Sequence, residues 1–205
     1  MVKIIYIILL IGVCILCYRQ YTFADCRDFP APDFKITDQQ TYTGRYINKE
    51  FGFSVVIPKG STGFNTPPPR PDNGIGILLS SNPNSFVSFI AQDGSVQLER
   101  FYAESITNLR EEAEKVLSIK RVDTILDNMK AIRYIAKYTC VAKPGVFINE
   151  AILAYNSERR IFYASTLLTT GDKYKKDGMI FNKILKTWRL IPLAPHYSVP
   201  FEGVR

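Results

Sequence analysis

The residues that could perform chemistry are few, and their spacing does not bring them together. The chain has a single histidine, His196, which lies between Pro195 and Tyr197 near the C-terminus. A serine or cysteine nucleophile needs a neighbouring base, and clustered histidines are the usual sign of a metal site. One histidine in a proline-containing tail is best interpreted as a surface residue, with a general base or lone ligand as the alternative.

The short motifs that could mark an active site are also incomplete. Residues 60–63 read Gly-Ser-Thr-Gly, which is not the Gly-x-Ser-x-Gly nucleophile elbow. Residues 74–76 read Gly-Ile-Gly and lack the third glycine and the following helix of a dinucleotide site. The adjacent carboxylates Glu111 and Glu112 do not converge on a helix surface. The sequence therefore predicts no enzyme, no cofactor and no metal, and an unrecognised hydrolase is the remaining catalytic hypothesis.

The first 24 residues have the pattern of a secretory signal. Lys3 precedes an apolar run of 14 residues at 4–17, and Ala24 ends a small-x-small motif. A helix that crosses a bilayer needs about 20 apolar residues. We therefore predict export to the periplasm or the extracellular space, cleavage before Asp25, and no stable membrane span afterwards. Membrane anchoring through an uncleaved signal is the alternative.

The composition predicts one globular domain that stays basic after export. The 205 residues are 46% hydrophobic and 22% charged, with a net charge of +7 that becomes +5 once residues 1–24 are lost. Cleavage also leaves two cysteines, Cys26 and Cys140. In an oxidising compartment this pair predicts a disulfide, and the alternative is that Cys140 is simply a small buried residue.

Apolar periodicity predicts an α+β fold in which helices cover an antiparallel sheet. The domain extends over residues 44–191, between an irregular lead-in at 25–43 and a tail at 192–205. The predicted strands lie at 45–48, 51–57, 74–80, 85–92, 119–126, 131–141, 146–155 and 160–168, and the predicted helices at 96–117 and 172–188. Short connections between the later strands indicate an antiparallel meander.

Two segments carry a resemblance to a known family. Residues 51–60 (FGFSVVIPKG) end a predicted hairpin, and residues 181–190 (FNKILKTWRL) end an aromatic, basic-flanked helix. Together with the order of elements over 42–191, they resemble the PsbP-like superfamily. The resemblance implies an α/β/α sandwich. It also implies a mostly non-catalytic protein, since that superfamily includes photosynthetic extrinsic subunits, bacterial envelope proteins and immunity-type proteins.

Two segments are candidate binding surfaces. The stretch from Lys59 to Gly74 is rich in proline and glycine and is predicted to be a loop. A preordered loop of this kind favours recognition, whereas the alternative is a spacer that caps the sheet. A basic cluster in the last helix is the second surface, with a merely solvated helix face as its alternative. The predicted binding residues are Phe64, Asn65, Arg70, Asn73, Lys173, Lys175 and Lys176.

These observations favour a binding protein over an enzyme. A basic exported chain suits a partner protein that is acidic, and export argues against nucleic acid. The most concrete hypothesis is an envelope inhibitor or immunity-type protein that neutralises a secreted toxin or effector. An envelope assembly or accessory factor is the alternative.

Overall fold

The computed structural model describes residues 41–65, 73–79, 82–94, 97–141 and 143–194, which form two antiparallel sheets and two helices. In chain order, the helices are α1 (Leu98–Glu112) and α2 (Tyr174–Leu185). The strands are β1 (Thr41–Tyr42), β2 (Arg45–Asn48), β3 (Phe53–Val56), β4 (Thr62–Asn65), β5 (Gly74–Leu79), β6 (Asn82–Asp93), β7 (Lys115–Leu126), β8 (Met129–Thr139), β9 (Val146–Asn156), β10 (Ile161–Thr170) and β11 (Arg189–Leu190).

The large sheet has eight strands in the order β1-β4-β5-β6-β10-β9-β8-β7, and the small sheet has the order β11-β3-β2. Tight turns join several neighbours. Asp127 and Asn128 connect β7 to β8 with φ values of 45° and 69°, a conformation that favours a hairpin whose strands keep their right-handed twist. The predicted meander of antiparallel strands and the α+β class are therefore confirmed.

One helix covers each face of the large sheet. Helix α2 and the small sheet bury an aromatic core in which Phe53 and Trp188 stack with centroids 6.2 Å apart. Helix α1 lies on the other face, where Ile106 and Leu109 belong to the same buried cluster as Tyr134. Burial of apolar surface on both faces holds the layers together. The arrangement is the α/β/α sandwich that the sequence predicts.

The predicted loop from Lys59 to Gly74 is wrong at residues 62–65, which form β4. Phe64 lies opposite Gly76 of β5 in the antiparallel register. A Cβ on Gly76 would come within 2.5 Å of the Phe64 ring, so the glycine leaves the space that the ring occupies. Gly63, one of the glycines behind the loop prediction, likewise permits close packing in β4, since a Cβ there would lie 2.6 Å from the Ile57 side chain.

Several predicted boundaries also shift. Helix α1 ends at Glu112 because Ala113 is extended, with φ −73° and ψ 140°, and residues 115–117 begin β7. Helix α2 begins two residues later and ends three residues earlier than predicted. Strand β1 lies inside the predicted irregular lead-in, where it pairs with β4.

The turn between β2 and β3 depends on a glycine with a close neighbour. Gly52 has φ +64°, and a Cβ there would lie 2.8 Å from the carbonyl oxygen of Ile191. Gly44 has a similar φ, +72°, but nothing within 4 Å of its Cβ position. We expect Gly44→Ala to cost about 1 kcal/mol for the left-handed backbone and Gly52→Ala about 2 kcal/mol, because a neighbour must also move. Urea unfolding of both variants checks this, and equal losses would contradict the close-approach argument.

Candidate functional site

Two of the binding residues predicted in the loop are buried rather than exposed. Phe64 is 2% exposed and packs against Phe86, and Asn73 is 6% exposed, so neither side chain is available at the surface. This corrects both predictions, because pairing of β4 with β5 draws the ends of the segment into the sheet. Arg70 and the side chain of Asn65 lie outside the described residues.

The predictions that concern the N-terminus also lie outside the described residues. These are the signal at 1–24 and Cys26. Cys140, just after β8, is 5% exposed, and its pairing with Cys26 stays a prediction. Within the described ranges, neither helix is long and apolar enough to cross a membrane.

The predicted lysines of the last helix are exposed, but they point in different directions. The Nζ of Lys173 lies 3.4 Å from the carboxylate of Asp172. Lys175 lies seven residues before Asn182, so both lie on one side of α2, and Asn182 contacts Arg133 of β8. Lys176 is rotated by about 100° from Lys175 and faces solvent. Of the three lysines, Lys175 alone shares the side of α2 on which Asn182 contacts β8.

Cross-strand register shows which other cations share this side of the sheet. Lys120 of β7 is opposite Ile135 of β8, which is opposite Glu150 of β9. Directly opposed residues lie on the same face, and Glu150 accepts a hydrogen bond from Tyr174 of α2. Lys120 therefore lies on the α2 face. Alternation along β8 places two further cations there; together these side chains form the basic strip: Lys120, Arg133, Lys137 and Lys175.

Among the described residues, α2 packs mainly on β10, β6 and β3 and reaches β8 through the hydrogen bond between Asn182 and Arg133, so most of the strip is not covered by the helix. Lys120 and Lys137 are exposed. The residues that β7 and β8 place on this face between positions 118 and 137 include no acid; they are Ser118, Lys120, Val122, Thr124, Leu126, Met129, Ala131, Arg133, Ile135 and Lys137. The strip is therefore a positively charged surface about two strands wide.

The strip residue Arg133 forms an ion pair with Glu150, which is fully buried. Its Oε1 accepts from Nε of Arg133 at 2.7 Å and from Nη2 of the same side chain, and its Oε2 accepts from the Tyr174 hydroxyl at 2.9 Å. Nη2 of Arg133 also donates to Asn182 Oδ1 at 2.9 Å. Burial raises the pKa of Tyr174, and the Glu150 charge and hydrogen bond act in the same direction. The network thus satisfies the buried carboxylate and ties α2 to the sheet.

This network leaves the lysines of the strip without a compensating carboxylate from Glu150. Two apolar side chains flank the strip, Val122 on β7, which is 62% exposed, and Met179 on α2, which is 56% exposed. Exposed lysines on a sheet can attract a negatively charged surface, and the adjacent apolar side chains can pack against it. The arrangement can hold carboxylates.

A second polar cluster lies beneath α2 but is sealed from solvent. Ser85 and Thr169 both donate to Oδ2 of Asp177, Thr169 at 2.6 Å, and none of the three residues is more than 1% exposed. A substrate could not reach these atoms without displacing the helix. The cluster is therefore an anchor for the first turn of α2. Nor do three His, Cys, Asp or Glu side chains converge as metal ligands anywhere in the described ranges.

Sequence reasoning missed four residues of this site: Lys120, Arg133, Lys137 and Glu150. Two signals could have found them. Arg133, Ile135 and Lys137 alternate along one predicted strand, which places both cations on one face. Glu150 is the only charge in the apolar run from 146 to 155, and such a charge needs a buried partner.

Comparison with known proteins shows a similar fold and no match in sequence to a family or a curated protein. No family model matches the chain, and no curated protein matches it. The solution structure of cyanobacterial PsbP from Synechocystis sp. PCC 6803 matches 73% of this chain and 92% of its own, with a TM-score of 0.52 and 11% identity. This likeness confirms the predicted PsbP-like fold.

Two other solved structures match with lower scores. The crystal structure of LpqN, involved in cell envelope biogenesis of Mycobacterium tuberculosis, has a TM-score of 0.42 and 11% identity, over 79% of this chain and 100% of its own. A Pseudomonas aeruginosa protein of unknown function has a TM-score of 0.43 and 14% identity, over 76% of this chain and 98% of its own.

Proposed function

We propose that this chain is an exported, non-catalytic protein that binds an acidic partner protein through the basic strip. The observation that carries the proposal is the set of cations on the α2 face of β7 and β8, among which Arg133 is paired with the buried acid Glu150 and the lysines are exposed. Lysines held on a rigid sheet attract a partner's carboxylates with little loss of backbone freedom.

The distribution of charge over the two faces supports one orientation of binding. Helix α1, on the opposite face, carries more acids than bases. Helix α2 carries Lys175, Lys176 and Lys183 against the single buried acid Asp177. A negatively charged partner is therefore attracted more strongly to the strip than to helix α1, which raises the rate of productive encounter at the strip.

The concrete form of this proposal is an envelope inhibitor or immunity-type protein, and an envelope assembly factor would use the same surface. Export rests on the leader pattern of residues 1–24. The Cys26–Cys140 disulfide belongs to the same proposal. It would tie the start of the exported chain to the end of β8, close to the strip residue Lys137.

Site-specific photo-cross-linking in cells tests the location of the surface. A benzoylphenylalanine replaces Lys137 in the strip or, as the control, Lys59 in the exposed turn before β4, near the opposite edge of the large sheet. Both changes remove one positive charge. We expect light to attach an acidic exported protein to position 137 and not to position 59. Adducts at both positions, or none at position 137, would contradict the proposed surface.

A further inference from the structure

Strand β7 is long and lies at an edge of the large sheet. It has twelve residues, whereas β1 at the opposite edge has two. Among the described residues, β7 pairs with β8 alone, so the main-chain donors and acceptors along its outer side meet no described strand. Such an edge is a template on which another extended segment can form main-chain hydrogen bonds.

We infer that the acidic partner contributes an extended segment that adds to β7 as a further antiparallel strand. This inference rests on the proposed function and specifies how that partner binds. A β-bulge at Leu117 interrupts the register near the start of β7, so the regular edge runs from Ser118 to Leu126. Nine residues are enough for a strand of ordinary length.

The side chains along this edge determine which residue types the added strand needs. On the α2 face, the new strand would lie beside Lys120 and the exposed Val122. An acid beside Lys120 and an apolar residue beside Val122 are the complementary pairs. On the α1 face, Ile125 is 72% exposed and favours an apolar neighbour. Arg121 on that face already forms ion pairs with Glu99 and Asp123 and therefore needs no acid from the added strand.

The same charges disfavour pairing of this edge with a second copy of the chain. Strand β7 has three cations, Lys115, Lys120 and Arg121, and a single acid, Asp123. Two such edges bring excess positive charge together, and like charges across a strand pair are destabilising. An acidic segment placed beside these cations is attracted instead of repelled. The edge therefore selects a partner by charge while its main chain supplies the hydrogen bonds.

A designed peptide tests whether an acidic strand adds to the edge of β7. Its sequence is Val-Thr-Thr-Val-Thr-Glu-Val-Glu with blocked termini, which places a glutamate beside Lys120 and a valine beside both Val122 and Ile125. A matched peptide replaces the central valine and the threonine that follows it with proline, which keeps the charge and removes a main-chain donor whichever of the two faces β7. Both are titrated into the isotope-labelled whole chain, and amide exchange is followed by NMR. Variants Lys120→Glu and Lys59→Glu serve as the charge test and its control.

We expect the first peptide to slow amide exchange within residues 118–126 and the proline peptide to bind about tenfold more weakly, because main-chain hydrogen bonds are lost. Lys120→Glu should weaken binding, and Lys59→Glu should not. Equal binding of the two peptides without amide protection would overturn strand addition while leaving the basic strip as the binding surface. Absence of binding by either peptide, or dimerisation of the chain through β7, would also overturn strand addition, whereas the cross-linking at position 137 tests the strip separately.

Discussion

Replacing Arg133 by methionine is expected to destabilise the fold by about 3–4 kcal/mol, because it leaves the buried carboxylate of Glu150 without its cation. Glu150 is fully buried, and its remaining described partner would be the hydroxyl of Tyr174. The same change removes the hydrogen bond from Arg133 to Asn182, so the attachment of α2 to β8 is weakened as well. The free energy of unfolding in urea measures this loss.

Arg121→Met is the matched control for this prediction. The side chains of Arg121 and Arg133 are 32% and 31% exposed, but their carboxylate partners differ, since Glu99 is 65% exposed and Glu150 is buried. The control should therefore lose much less stability, because a solvated Glu99 needs no cation. Arg133→Met combined with Glu150→Gln should recover most of the lost stability. Equal losses in the two single variants, or no recovery in the double variant, would show that burial of Glu150 does not decide the effect.

Local patterns were sufficient to predict most of the fold. The hairpin that contains β2 and β3 follows from alternating residues around a turn, and the meander from β7 to β10 follows from turn residues such as Asp127 and Asn128. Each of these elements is specified by residues close together in the chain. The PsbP-like arrangement of layers then follows from the order of the elements.

The two main errors, the missed strand β4 and the missed basic strip, have a common physical cause, which is contact between distant residues. Residues 62–65 become a strand because Phe64 packs over Gly76, and no local pattern shows that packing. The basic strip likewise depends on the register that aligns Lys120 with Ile135 and Glu150. A shift of one residue would move Lys120 to the other face. The strip could therefore be identified only once the pairing of β7, β8 and β9 was known.

Reversing two charges of the strip should have a large effect on binding and little effect on folding. Lys120→Glu combined with Lys137→Glu replaces attraction to a partner's carboxylates by repulsion at both positions. Both side chains are exposed and neither takes part in the Arg133–Glu150 ion pair, so the fold should tolerate the change. We expect affinity for the partner to fall about 100-fold, close to 3 kcal/mol, and the loss to shrink as salt is added.

The most direct test of the basic strip is a calorimetric titration of the partner attached at position 137 against three chains: the unaltered chain, the Lys120→Glu/Lys137→Glu variant and a Lys59→Glu control. Circular dichroism first establishes that all three are folded. The basic strip as the binding surface predicts that the double variant binds about 100-fold more weakly and that the control binds like the unaltered chain. Retention of full affinity by the double variant, or an equal loss in the control, would contradict it.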